Sequence, residues 1–230
     1  FGYHYLWVTQ GWNVFLRDIF VPSVGHYQPL NTLVIHSLFR VFGLNFAPYV
    51  VISILLHICN SVLVYLLAKK LFNSVSLSLV VMALFSIMAS SFQATAWVLA
   101  DLGIHFATLL AILSLLTWLT FLETRSSKYF TISLGSLLVS LLFKEIAVGF
   151  FALLPLTLWF FAPATFSKKR RYILIVLIIG GVYLALRSIM IFIPQAYSRD
   201  ALVTQSQPLG FLVYNFTVGK LKIENLLLVN

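Results

Sequence analysis

Charge is scarce in this chain. Only 9% of its 230 residues are charged and 61% are hydrophobic, whereas a soluble domain carries roughly 25% charged residues. Side chains this apolar cannot all hide in one soluble core, so lipid must be the solvent for much of the chain. Acid is scarcer still: 6 Asp and Glu stand against 15 Lys and Arg, a formal net charge of +9. That balance taken alone would admit a nucleic-acid partner. The basic residues instead fall in short clusters between apolar runs, with no basic face and no nucleic-acid motif, so membrane orientation accounts for them and no nucleic acid is expected.

Other absences narrow the field further. The single cysteine, Cys59, excludes an internal disulfide, and its place inside an apolar run reads as a small core residue. The five histidines are scattered and no His-x-x-x-His occurs, so no ligand set for a metal stands out. The cofactor is unknown, and a divalent metal stays open. There is no phosphate-binding loop, nucleophile elbow or short-period repeat. No signal peptide is visible and the first residue is Phe1, so the chain is expected to be a fragment of a longer polytopic protein.

What is present is a series of apolar runs with polar punctuation. Residues 1–28 are aromatic and polar, with Tyr3, Tyr5, Trp7 and Trp12 ahead of Arg17-Asp18. Trp and Tyr favour the membrane–water interface, which places this part outside, lying on the bundle. Residues 29–43 form an apolar run interrupted by His36 and Arg40. About 15 helical residues reach about 22 Å, short of a roughly 30 Å hydrocarbon core, so an amphipathic interfacial helix is expected. Spans are expected at about 46–68, 76–92 and 103–122, as two short spans within 129–162 divided by Lys144-Glu145, and at about 172–193. Pro155 is a candidate kink. Residues 194–210 read as a polar loop, and a further helix begins near 211. The expected fold is an all-α integral membrane bundle of about six or seven spans with interfacial juxtamembrane helices. Its parts are an outer-face loop at 1–45, a bundle at 46–193, and an outer loop with the start of a helix at 194–230.

Within 46–68, Ser53, His57, Asn60 and Ser61 follow i, i+4, i+7, i+8 spacing and share one helical face. Polar groups avoid lipid, so this face should look into the bundle, with His57, Asn60 and His105 as interhelical hydrogen-bonding residues. If Lys69-Lys70 is cytoplasmic, alternation puts Arg125, Lys128 and the Lys168–Arg171 cluster on the same side. Asp18, His26, Asp101, Lys144, Glu145 and Arg187 then gather near the outer face. Cations there can hold a lipid phosphate, and a carboxylate can take a proton from an acceptor hydroxyl. The bland alternatives are that Lys144 and Glu145 snorkel, that Arg187 fixes packing, and that Asp18 beside Arg17 is a solvated pair.

The motifs carry a resemblance. They run His26-Tyr27-Gln28-Pro29-Leu30, Phe42-Gly43-Leu44-Asn45, Leu55-Leu56-His57-x-x-Asn60-Ser61, Gln93-Ala94-x-Ala96-Trp97-Val98 and Phe143-Lys144-Glu145. Over about residues 10–165 this resembles the membrane region of GT-C glycosyltransferases, in particular the branch with the tetratricopeptide-repeat O-mannosyltransferases and their bacterial relatives. The resemblance implies an enzyme that moves a sugar from a polyprenyl or dolichyl phosphate to a protein, glycan or lipid acceptor on the periplasmic or luminal face. It also implies a multi-pass protein, in a bacterial or archaeal inner membrane, with the bilayer as its surroundings. The family's acidic pair is expected upstream of Phe1, with Asp18 and Asp101 as supporting catalytic acids. Lys144, Arg187 and His26 are the residues expected at the donor phosphate, and Glu145, Gln93 and His57 those that order the site. The chain departs from the family with Gln28 in place of Arg, Gln93 in place of Glu, and no arginine before Asp101. A transporter or carrier of a lipid-linked substrate, gated by the same charges, is the alternative reading.

Overall fold

The structure is a computed structural model that describes Trp12, Phe15, Leu16, Ile19 and residues 27–88, 98–161 and 169–192. Among these residues the chain is helical and no strand occurs. Helix α1 (Pro29–Phe42) begins with its proline in the first turn, where a fixed φ and a missing N–H suit a helix start. It stops at Gly43, whose φ is +56°, a conformation that side-chain-bearing residues adopt only with strain. The fully buried Tyr49 donates its hydroxyl to the Gly43 carbonyl at 2.9 Å. Asn45 Oδ1 accepts the Ala47 N–H at 3.3 Å. The Phe42–Asn45 motif is thus the break between α1 and α2 (Ala47–Phe72).

Helix α2 is inverted relative to a helix of a water-soluble protein. Ser53, Asn60 and Ser61 are buried, while Val51, Ile54, Leu55, Ile58, Val62 and Leu66 are exposed along the other side. Polar-in, apolar-out ordering is stable only where the surroundings are apolar. Cys59, expected in the core, is instead exposed; it follows Ile58 on the outward side of the helix, so the inward stripe excludes it. Helix α3 (Val75–Ile87) is capped by Ser74, whose side chain accepts the Leu77 N–H at 3.3 Å. It ends at an extended Met88, short of the expected 76–92. Its 13 residues reach about 20 Å.

Helix α4 (Val98–Thr124) is the central post. Half of its apolar window is buried, against 17% for α2 and 11% for the last helix. Helix α5 (Ser127–Phe143) lies along it, with Ser133 Oγ donating to the Ser114 carbonyl at 2.8 Å and Ser140 Oγ to the Ala107 carbonyl at 2.7 Å. Small hydroxyl residues let the helices approach closely while spending their own donors. After α5 the chain turns at an extended Lys144 into a short 3-10 turn, Glu145–Gly149, then α6 (Phe150–Phe161) and α7 (Lys169–Phe192). The split of the long apolar run at the charged pair is as expected. Pro155 lies inside α6, where it removes a backbone donor from the helix ladder.

The core is built from α4, α5, α6 and α7, with Trp118, Phe121, Leu137, Leu154, Leu158 and Val176 in one cluster. Trp118 donates its ring N–H to Thr157 Oγ1 at 2.9 Å and so satisfies a buried polar atom between α4 and α6. Gly180 lets α7 lie on α6, because a Cβ there would come within 2.7 Å of the Phe151 ring.

Three helical stretches, Ala47–Phe72, Leu102–Thr124 and Lys169–Ser188, are long and apolar enough to cross a membrane. Val75–Ile87, Ser127–Phe143 and Glu145–Phe160 are shorter apolar helices. The two ends of the bundle differ. At one end Lys70 pairs with Glu123 at 2.6 Å, among Lys69, Arg125, Lys128, Lys169, Arg170 and Arg171. The other end holds the Lys144-Glu145 corner, the start of α1 and Arg187. The expected loop at 194–210 and the helix from 211 lie outside the described residues.

Candidate functional site

Glu145 is the node of the second end. Its carboxylate accepts from Arg187 Nη2 at 2.6 Å, from the Tyr27 backbone N–H at 3.3 Å and from Gln28 Nε2 at 3.3 Å. Gln28 Oε1 in turn accepts from Asn31 Nδ2 at 3.1 Å. The polarity of this chain follows from its first member. An ionised carboxylate only accepts, so Gln28 must present its amide nitrogen to Glu145 and its oxygen to Asn31. Asn31 must then offer its own nitrogen, and its oxygen is left buried with no hydrogen-bond partner among the described residues.

Each element is placed there for a local reason. Pro29 starts α1 and leaves Gln28 in an open conformation just before it. Asn31, Ile35 and Phe39 recur at four-residue spacing and form the buried face of α1. That face packs on α4 at Gly103, where a Cβ would sit 2.6 Å from Asn31 Cγ. The side chains of Arg187 and Glu145 are only 14% and 21% exposed, so their pairing is far less screened than a surface pair.

Lys144 is half-buried beside this node. Its backbone N–H caps α5 on the Ser140 carbonyl at 3.0 Å. Its ammonium has no hydrogen-bond or ion-pair partner among the described residues. An ammonium is a compact donor with no acceptor capacity, suited to an anionic oxygen.

Of the residues expected at the site, the structure brings Glu145 and Arg187 into contact and sets Lys144 next to them. Arg187 is engaged with the Glu145 carboxylate. His57 is elsewhere. It bridges α2 to α3 through the Ser86 carbonyl at 3.3 Å, stacks on Phe85, and meets the His105 ring edge-on at 6.0 Å. The neighbouring Asn60 donates to the His105 carbonyl at 3.1 Å, so the Leu-Leu-His-x-x-Asn-Ser segment ties three helices together. Asp101 belongs by its backbone to the early turns of α4, and its side chain lies outside the described residues. Asp18, His26 and Gln93 lie outside the described residues too. Among the described residues no cluster of three His, Cys, Asp or Glu side chains forms a metal site.

Sequence reasoning missed Asn31, Gly103 and the Tyr27 N–H. The available signal was Asn31 itself, a polar residue in line with Ile35 and Phe39 on an otherwise apolar stripe. His36 marks how the segment before α1 docks. It is fully buried, stacked on Phe15 at 4.0 Å and edge-on to Trp12 at 5.3 Å, and Arg40 lies over the Trp12 ring at 4.6 Å. Burial first, and the nearby Arg40 charge second, hold its pKa below the usual histidine value of 6.5.

Comparison with known proteins finds no matching family model, no similar curated protein and no similar solved structure.

Proposed function

We propose that the chain is the membrane-embedded part of a GT-C-type glycosyltransferase, moving a sugar from a polyprenyl or dolichyl phosphate to an acceptor on the outer face of the membrane. The observation that carries this is the Lys144-Glu145 corner: a cation with no partner among the described residues, beside a mostly buried Glu145–Arg187 pair. Glu145 joins residues 117 and 42 positions apart in the chain, so the corner is built by the whole fold. In this reading Lys144 receives the donor phosphate as a charge-assisted contact. Glu145, held by Arg187, Tyr27 and Gln28, sets the position of that ammonium through the backbone. An acid, upstream of Phe1 or supported by Asp18 or Asp101, takes the acceptor proton.

The wider membrane arrangement belongs to the same proposal. α3, α5 and α6 cross as short spans beside the three longer helices, giving six or seven in all with the remainder of the chain. The basic end, with Lys69, Lys70, Arg125, Lys128 and Lys169–Arg171, faces the cytoplasm of a bacterial or archaeal cell. Glu145 then faces outward.

The test is sugar transfer by membranes that hold the intact protein, supplied with labelled polyprenyl-phosphate sugars and a native acceptor extract. Transfer should occur, and Lys144→Ala should lower it on the order of 100-fold, as loss of a charge-stabilising donor does, with expression and folding unchanged. Full transfer by Lys144→Ala would remove the phosphate assignment. No transfer from several donor sugars would remove the enzyme.

A further inference from the structure

Tyr183 lies on the seam that joins α7 to the Glu145 corner. Gly180, Tyr183 and Arg187 recur at three- and four-residue spacing, so they share one face of α7. Contacts fix that face at both ends. At Gly180 a Cβ would come within 2.7 Å of the Phe151 ring. At Arg187 the guanidinium meets the Glu145 carboxylate at 2.6 Å. Between them the Tyr183 ring lies 6.1 Å from the Phe151 ring, centroid to centroid. The packing of α7 on α6 therefore places Tyr183 directly under the Glu145–Arg187 pair.

The Tyr183 side chain is half-buried, and the charges of Arg187 and Glu145 both act on its hydroxyl. The acid does not take its proton. Glu145 accepts from Arg187, from the Tyr27 N–H and from Gln28, and the Tyr183 hydroxyl makes no hydrogen bond among the described residues. A tyrosine hydroxyl inside a helix bundle ordinarily finds a partner. Here one donor and its lone pairs are left over. Lys144, the residue before Glu145, leaves a second donor unspent, with no partner among the described residues. Arg187 already balances Glu145, so a closed structural ion pair needs neither of these donors. Together they suit an acceptor brought from outside the chain.

The charge and depth of the corner indicate its chemistry. With Glu145 balanced by Arg187, the Lys144 ammonium gives the corner a net positive charge, which favours an oxyanion. Helix α7 runs from the basic end of the bundle towards Glu145. Tyr183 stands one turn before Arg187, about 6 Å nearer the middle of the bundle. A neutral donor at that depth costs far less than a further cation would.

We infer that Tyr183 is a ligand-contacting residue of this corner: its hydroxyl donates to a phosphate oxygen of a polyprenyl phosphate that the Lys144 ammonium also holds. The identity of the ligand rests on the glycosyltransferase reading; the unspent hydroxyl beside the ion pair does not. Inorganic phosphate offers the same oxygens without the lipid tail, and the test separates the two.

The intact protein in detergent is titrated with undecaprenyl phosphate, alone and against inorganic phosphate, and bound lipid is counted by native mass spectrometry. Undecaprenyl phosphate should bind, and inorganic phosphate should not displace it. Tyr183→Phe should weaken binding about ten-fold, the scale of a hydrogen bond to a charged group. Its melting temperature without ligand should be unchanged, because the hydroxyl it removes bonds to nothing among the described residues. With a labelled polyprenyl-phosphate sugar, the same variant should raise KM by that factor and leave kcat unchanged. Full affinity in Tyr183→Phe, beside weakened binding in Lys144→Ala, would remove Tyr183 from the site and leave the glycosyltransferase reading standing. A lower melting temperature in Tyr183→Phe would make the hydroxyl a structural group and overturn the assignment. Lipid binding that Tyr183→Phe weakens, without sugar transfer by the unmodified protein, would keep the contact and remove the enzyme. Displacement by inorganic phosphate would replace the lipid with a small anion, and absence of any lipid binding would overturn the proposal.

Discussion

Each end of the helix bundle has an ion pair of the same length, 2.6 Å, and the two pairs serve different ends. Lys70–Glu123 joins α2 to α4 with its side chains 22% and 60% exposed. Water and salt reach it, and such pairs contribute about 0–1 kcal/mol. Glu145–Arg187 is 14–21% exposed, and its carboxylate also takes the Tyr27 N–H and the Gln28 amide. Removing one partner there takes a charge-assisted contact away from a side chain that is mostly shielded from water. Distance alone therefore says little about an ion pair; burial and the number of further donors decide its weight.

The sharpest break of that comparison is a matched pair of truncations. Glu145→Ala should cost about 3–5 kcal/mol, because Arg187 loses the carboxylate that it meets at 2.6 Å in a mostly buried setting. Glu123→Ala should cost less than about 1 kcal/mol. Equilibrium unfolding in the same detergent measures both, and equal losses would show that burial does not separate the two ends.

A smaller effect is expected from a change that touches no charge. Gly103→Ala drives a methyl to within 2.6 Å of Asn31, and overpacking of this kind costs about 1–3 kcal/mol. It should also loosen α1 from the bundle and so disturb Gln28 at Glu145. Gly135→Ala, on α5 with nothing within 4 Å, should be neutral or slightly stabilising. Limited proteolysis at α1, alongside the melting temperature, distinguishes the two substitutions.

Asn60→Ala should come next. It removes the bond to the His105 carbonyl, and interhelical bonds in membranes average about 0.6 kcal/mol.

The smallest effect should appear as a pH dependence. His36 has its pKa lowered in the folded state, so folding favours its neutral form. That contribution is complete above the unfolded value of about 6.5 and is lost as pH falls through the lowered folded value. Stability measured between pH 7.5 and 5 should decline, and His36→Phe should flatten the slope. An unchanged slope in the variant would assign the pH response to another group.

Much of the fold was legible because helices in an apolar environment leave local marks. Pro29 and Gly43 bound α1, and the Ser53–Ser61 stripe gives the inward face of α2. Lys144-Glu145 splits a run too long for one helix. α3 stops at Met88, just ahead of the polar Ser90-Ser91 pair, and Cys59 turns outward because three polar residues already occupy the inner face. At the site, the sequence indicated Lys144, Glu145 and Arg187 as costly charges but not their pairing. Asn31 and Gly103 gave weaker signals, since one amide and one glycine have many ordinary uses.

The sequence by itself determined that the chain is helical, apolar outward and polarised in charge between its ends, because these follow from periodicity and from the cost of placing charge in hydrocarbon. Only the tertiary structure decided that Arg187 belongs to Glu145, that Gln28 and Asn31 complete that node, and that Lys144 has no partner among the described residues. Periodicity specifies which face of a helix turns inward. It cannot specify which residue more than a hundred positions away will meet that face, because that depends on how all the helices pack together.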